Sequence, residues 1–169
     1  KEEVITIAMR GDGDAPMGPD TDTHLLEDIV KGQRKIIADV TGKPACKTPQ
    51  LWALYSEVLE YYDKGMKIPD DVMILLCDDN WGNVRRLPDL KDKRHPGGYG
   101  MYYHVGYYGA PRASKWLTMS HIAEMWEQLQ ATYQHGVDKL WMLNVGDIKP
   151  HEFAIDFLMN MAWNPDAFD

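Results

Sequence analysis

The residues of this sequence that can do chemistry follow short apolar runs. After Val4 to Met9 comes Arg10-Gly11-Asp12-Gly13-Asp14, and after Val72 to Cys77 come Asp78-Asp79-Asn80-Trp81-Gly82-Asn83 and Arg85-Arg86. His104 closes the run that starts at Met101, with Gly106-Tyr107-Tyr108 beyond it. The run from Leu140 to Val145 contains Asn144 and leads into Gly146-Asp147. Carboxylates, amides and aromatic rings together describe a sugar site. Rings stack on sugar faces, amides and carboxylates bind hydroxyls, and two carboxyl groups supply the acid and the base of glycoside cleavage. An arginine is surplus for a neutral sugar. It fits a sugar that carries a carboxylate, because the guanidinium fork binds that group through two parallel hydrogen bonds.

Each motif alone has a plainer reading. Arg10 to Asp14 is a turn with solvated carboxylates, and its Arg10-Gly11-Asp12 is too short to argue for adhesion. Asp12 and Asp14 begin a calcium-loop spacing that the following residues do not continue. Asp78, Asp79 and Asn80 suit a left-handed turn, and His104 suits a satisfied core histidine. Tyr99, Tyr102, Tyr103, Tyr107 and Tyr108 are packing residues by default, although strand alternation turns one of each adjacent pair inward. His24, His121, His135 and His151 lack ligand spacing, so no structural zinc site and no cofactor is argued. Dinucleotide, phosphate-loop and serine-hydrolase signatures are missing.

These residues need elements that bring them to one place. The four apolar runs, Val4 to Met9, Val72 to Cys77, Met101 to His104 and Leu140 to Val145, read as strands buried on both faces, the mark of a parallel sheet covered by helices. Leu25, Leu26, Ile29, Val30, Ile36, Ile37 and Val40 repeat at helical spacing and stop at Gly42. A second helix is predicted from Thr48-Pro49, an N-cap followed by proline, through Leu51, Trp52, Leu54, Tyr55, Val58 and Leu59. A third runs from about Ser120 to Gly136, and Pro150 opens a fourth over HEFAIDFLMNMAW. Alternating strands and helices give an α/β fold in which active sites lie at the carboxyl ends of the strands. A closed TIM-type (β/α)8 barrel takes about 250 residues, so four βα units are roughly half of one. The long turn-rich stretch after Cys77 reads as a functional loop.

The chain has 169 residues, 44% hydrophobic and 26% charged, which fits one soluble globular domain and leaves little room for two. Its formal charge of −8 disfavours nucleic acid as a partner, since phosphate backbones are gripped by clustered lysine and arginine. No apolar run reaches the ~20 residues of a membrane helix, so no membrane partner is expected. Of the two cysteines, Cys77 ends an apolar run and reads as a buried small hydrophobe.

Four strings carry a resemblance. MRGDGD (Met9 to Asp14), CDDNWGNVRRLP (Cys77 to Pro88), GGYGMYYHVGYYGAPR (Gly97 to Arg112) and LNVGDIKP (Leu143 to Pro150) closely resemble the barrel domain of glycoside hydrolase family 115, in the same order over nearly the whole chain. The family contains xylan α-1,2-glucuronidases. The resemblance implies that residues 1–169 are the central part of a catalytic (β/α)8 barrel, with the rest of the barrel and flanking domains outside this chain. It implies removal of glucuronic acid or its 4-O-methyl ether from glucuronoxylan with inversion, and a periplasmic or extracellular location. Homodimerisation of the full-length enzyme is left open. By motif, Arg10 and Asp14 match a site-lining arginine and carboxylate. Tyr55 and Glu57 match a Tyr-x-Glu on the following helix, whose glutamate is the candidate general acid. Asn80 matches an asparagine of the site, and Tyr107 a substrate-binding tyrosine. The chain departs from the family at Gly106, where an aspartate is common.

The residues alone do not select Glu57, since a glutamate on an apolar-rich helix is ordinarily a solvated face residue. Among Trp52, Tyr55 and Tyr61 its pKa is expected to be raised, as a general acid requires. The expected reaction is single displacement, with Glu57 as acid and Asp14, helped by Asn80, activating a water. Inverting enzymes hold the two carboxyl groups roughly 6.5 to 9.5 Å apart. Arg10 receives the uronate carboxylate, with Arg85 or Arg86 as the second candidate. Tyr55, Trp81, His104, Tyr107 and Asn144 are the expected substrate contacts, and Asp78, Asp79 and Asp147 are reserve carboxylates. Two other classes compete: a non-catalytic carbohydrate-binding or degenerate barrel domain, and a metal-dependent enzyme using Asp12, Asp14, Asp78 and Asp79. The isolated fragment is expected not to fold stably, because its sheet edges and apolar surface lack cover.

Overall fold

The structure is a computed structural model that describes residues 3–18, 22–107 and 121–168, the side chain of Asp14 excepted. Five strands order themselves as β1 (Ile5–Thr6), β2 (Gln50–Ala53), β3 (Val72–Cys77), β4 (Tyr99–His104) and β5 (Leu140–Asn144), each hydrogen-bonded to the next in the chain. The pairs β1–β2, β2–β3 and β4–β5 are parallel: Ile5 lies opposite Gln50, Gln50 opposite Val72, and Gly100 opposite Leu140. The α-helices are α1 (Thr23–Thr41), α2 (Glu57–Asp63) and α3 (Ile122–Gln134), each between two strands, and α4 (Glu152–Trp163), which follows β5. A strand order that follows the chain without reversal is the order of a (β/α)8 barrel, and differs from a doubly wound sheet, whose order reverses at a switch point. The fold is α/β, part of a TIM-type barrel.

The chain divides into two compact units, one of residues 1–75 and 95–98, the other of residues 76–94 and 99–169. In the first, α1 begins where the Asp22 carboxylate accepts from Leu25 N and ends where Gly42 N returns to Ala38 O. Its buried face, Leu26, Val30 and Ile37, belongs to a core with Ile7, Leu51, Trp52, Leu54, Val58 and Ile74. In the second, Met125 and Leu129 of α3 and Leu158 and Met161 of α4 are buried in a core that also holds Met101, Tyr103 and Val137.

The helix predicted from Thr48-Pro49 is a strand. Gln50 to Ala53 form β2, paired on both sides, and the helix begins only at Glu57. The misreading has a physical origin, since Leu51, Leu54, Tyr55, Val58 and Leu59 recur at helical spacing across a strand, a turn and a helix that follow without a break. Gln50 settles the matter. Buried at 2% exposure, it accepts from Arg34 Nη1 and donates to the carbonyls of Ala45 and Thr48, bonds that pin a strand entrance. Among the described residues there are therefore five strands, one more than expected. The expectation of burial on both faces holds for β3 but not for β1, an edge strand whose two residues are exposed, nor for β5, half-exposed along its length. The β4 strand starts at Tyr99, two residues before Met101. Tyr108 and Ser120 lie outside the described residues.

Candidate active site

In the first unit, β1 and β2 each end in a chemically active group. Beyond β1 the chain reverses, with Gly11 N donating to Ala15 O at 2.7 Å. A side chain at Gly11 would start 2.7 Å from Pro16 O, so the tight return after Arg10 requires glycine. Beyond β2, Tyr55 and Ser56 lead directly into Glu57 at the first turn of α2. Arg10 donates through Nε to Glu57 Oε1 at 2.9 Å and through Nη2 to Oε2 at 2.7 Å, a two-pronged pair with side chains 18% and 13% exposed. The guanidinium also stands 5.1 Å from the centre of the Tyr55 ring. The Arg10 hydrogen bond holds the Glu57 carboxyl below its ordinary value, against a burial effect in the other direction, helped by the residue's own N–H and by Ser56.

In the second unit, β3 and β4 end around one buried carboxylate. Asp78 Oδ1 lies 2.5 Å from His104 Nδ1 and accepts from Asn80 N, while Oδ2 accepts from the backbone N–H groups of Gly82 and His104. Asp79 accepts from Asn83 Nδ2, from two backbone amides and from Arg85 at 2.9 and 2.6 Å. Burial raises its carboxyl, and the bonds from Arg85, Asn83 and Trp81 outweigh it, so the net displacement is downward. The His104 ring lies 4.8 Å from Tyr102 and 5.7 Å edge-on from Tyr107, whose ring lies 6.1 Å from Trp81. Asn144, at the end of β5, donates to the Tyr102 hydroxyl at 2.5 Å and accepts from Gly146 N.

Within each unit the structure gathers residues that the sequence scatters. Arg10, Tyr55 and Glu57 form one group; Trp81, His104, Tyr107 and Asn144 form another, tied to Asn80 through Asp78. Asp14 closes a short 3₁₀ segment, Asp12–Asp14, and its side chain lies outside the described residues. One expectation is overturned, since Glu57 has a lowered pKa because Arg10 grips both its oxygens. The sequence reading also treats Arg10 as open to a ligand, whereas its fork already holds an internal carboxylate. Asp78, a reserve carboxylate in the sequence, stands at the centre of a hydrogen-bond network. The signal available for it was its position as the first residue past a fully apolar strand. Ser56 (φ 53) and Asn80 (φ 70) are the non-glycine residues with left-handed backbone among those described, and each stands at a strand exit.

A model of the family described as glycosyl hydrolase family 115 matches residues 1–169. The chain belongs to that family. A solved family GH115 4-O-methyl-α-glucuronidase, BtGH115A, described as specific for decorated arabinogalactans, superposes with a TM-score of 0.89 at 36% identity. The match covers 97% of this chain and 22% of that one, so this chain spans about a fifth of the length of its structural relative. The curated proteins contain no match. Gly106 has no room for a side chain, because a Cβ would start 2.8 Å from Val145 O and 2.9 Å from His151 Nε2. Among the described residues no three His, Cys, Asp or Glu side chains are placed to hold a metal ion, and no helix is long and apolar enough to cross a membrane.

Proposed function

We propose that the protein containing this chain is a glycoside hydrolase that removes α-linked glucuronic acid, plain or 4-O-methylated, from a decorated polysaccharide, by inversion and with α-1,2-glucuronoxylan as substrate. The observation that carries the reading is the Arg10–Glu57 pair over Tyr55. It sets a guanidinium fork and a carboxyl group at adjacent strand exits, our candidates for holding the uronate carboxylate and for protonating the glycosidic oxygen. With Arg10 engaged, Glu57 is held as the anion and has no proton to give. A uronate carboxylate that takes over the Arg10 fork releases Glu57 into a half-buried setting beside Tyr55. There it takes up a proton from solvent and passes it to the leaving oxygen. Water adds to the anomeric carbon from the opposite face and surrenders a proton to the second carboxylate, for which Asp14 is our candidate. Asn80, Trp81, Tyr107 and Asn144 are the proposed substrate contacts of the second unit, and the full-length enzyme is proposed to act outside the cytoplasm.

The polymer that bears the uronate is the open element of this reading. The relative named for decorated arabinogalactans favours arabinogalactan as the alternative backbone. Release of free uronic acid by the complete polypeptide from glucuronoxylan and from glucuronate-bearing arabinogalactan, measured side by side, tests both. Preference for xylan supports the reading, preference for arabinogalactan replaces its backbone, and release from neither rejects the activity.

A further inference from the structure

Asp78 is an acid at a strand exit, sealed from solvent: its side chain is 0% exposed and that of His104 2%. Its two oxygens offer about four acceptor directions, and four donors occupy them: Asn80 N, Gly82 N, His104 N and the His104 ring. To act on a sugar this carboxylate would have to abandon a bond that shapes its own loop. Its donors come from two strand exits, the loop after β3 and the last residue of β4. With Asp78 Oδ1 receiving the proton of Nδ1, the His104 ring is fixed in tautomer and in orientation. That ring then meets Tyr107 edge-on, and Tyr107 meets Trp81 of the first loop. The circuit from Asp78 through His104, Tyr107 and Trp81 returns to the loop in which Asn80 is held in a left-handed conformation.

We propose that Asp78 and His104 are positioning residues: the buried pair locks the loop after β3 against the end of β4, so that Asn80, Trp81 and Tyr107 are presented together as one sugar-binding surface. The proposal rests on the glycosidase reading for the sugar that this surface binds and for its kinetic readout. It is tested in the complete polypeptide with His104→Asn, whose amide replaces the Nδ1 donor, His104→Gln, whose amide reaches the Nε2 position instead, and His104→Ala. His104→Asn is expected to keep kcat/KM for uronate release within about 5-fold of the parent, while the Gln and Ala variants lose about 100-fold, the scale of a misplaced substrate contact. Hydrogen exchange of the amides in residues 78–84 follows the same division, slow in the parent and in His104→Asn, faster in the other two. Equal loss in the Asn and Gln variants with unchanged amide exchange overturns the proposal, and so does full activity of His104→Ala. Should His104→Ala not fold, the Asn and Gln pair decides alone. A parent that releases no uronate defeats the glycosidase reading, and the exchange pattern then decides on positioning by itself: the division above upholds it, uniform rates reject it.

Discussion

Arg10 and Glu57 show how a half-buried carboxyl group can still be pushed toward its anion. Burial alone raises such a group, and two short bonds from a guanidinium reverse the sign. The pairing, 47 residues apart in the chain, is invisible to motif spacing, which is why sequence reasoning assigned Glu57 the opposite displacement. It carries a consequence for ligands. If the internal carboxylate competes with uronate for the fork, Glu57→Gln abolishes turnover by about 100- to 10,000-fold, the range of a lost general acid, yet binds free glucuronate about 10-fold tighter by calorimetry. Unchanged affinity would count against the exchange. The pH dependence has a defined sign. Because the folded carboxyl titrates below its ordinary value of 4.5, the pair's stabilisation is fully present above that value and is lost as pH falls through the folded pKa. The melting-temperature gap between the parent and Glu57→Gln is therefore widest above the ordinary value of 4.5 and narrows as the pH falls below it. A gap that grows on acidification contradicts the assignment.

At the scale of elements, the loops are held by backbone-to-backbone approaches that admit no side chain. Gly106 lies against Val145 O and His151 Nε2, so Gly106→Ala forces β4 and β5 apart at the end where Asn144 donates to Tyr102. The expected cost is about 1–3 kcal/mol, read by denaturant titration. A neutral substitution there would show that the exit segment yields freely. The β3 strand was fully legible, six apolar residues bounded by Asp71 and Asp78, because a strand buried on both faces leaves a continuous run. The first helix was legible from its period and from Gly42. The β2 strand was not, since Thr48-Pro49 looks like a helix start and the apolar spacing runs on into α2. Its exit was thereby hidden, so Tyr55 and Glu57 were expected on the flank of a helix instead of at a strand end. The exits after β3, β4 and β5 stood out because polar residues follow apolar runs abruptly.

At the scale of the molecule, large apolar side chains remain uncovered in both units. Ile36 and Val40 are 63% and 81% exposed on α1, and Phe153 and Trp163 are 72% and 91% exposed on α4. An open groove of about 410 Å³ on α4 is lined by Phe153, Phe157, Trp163 and Phe168. Among the described residues, strands β1 and β5 each have one partner. Exposed apolar patches and unpaired strand edges favour association over folding. The 169-residue chain on its own is therefore expected to bind a hydrophobic dye and to melt without a cooperative transition. A sharp calorimetric transition of a soluble monomer would overturn that expectation.

The central claim is that a proton from Glu57 releases a uronic acid, and proton NMR of the reaction mixture tests it most directly. The complete polypeptide is mixed with glucuronoxylan, and the anomeric signals of the freed sugar are followed from the first turnovers. The account predicts (4-O-methyl)glucuronic acid appearing first as the β anomer, the product of inverting an α linkage, and none from Glu57→Gln. Release of the α anomer would contradict inversion, and a Glu57→Gln variant as active as the parent would contradict the claim itself.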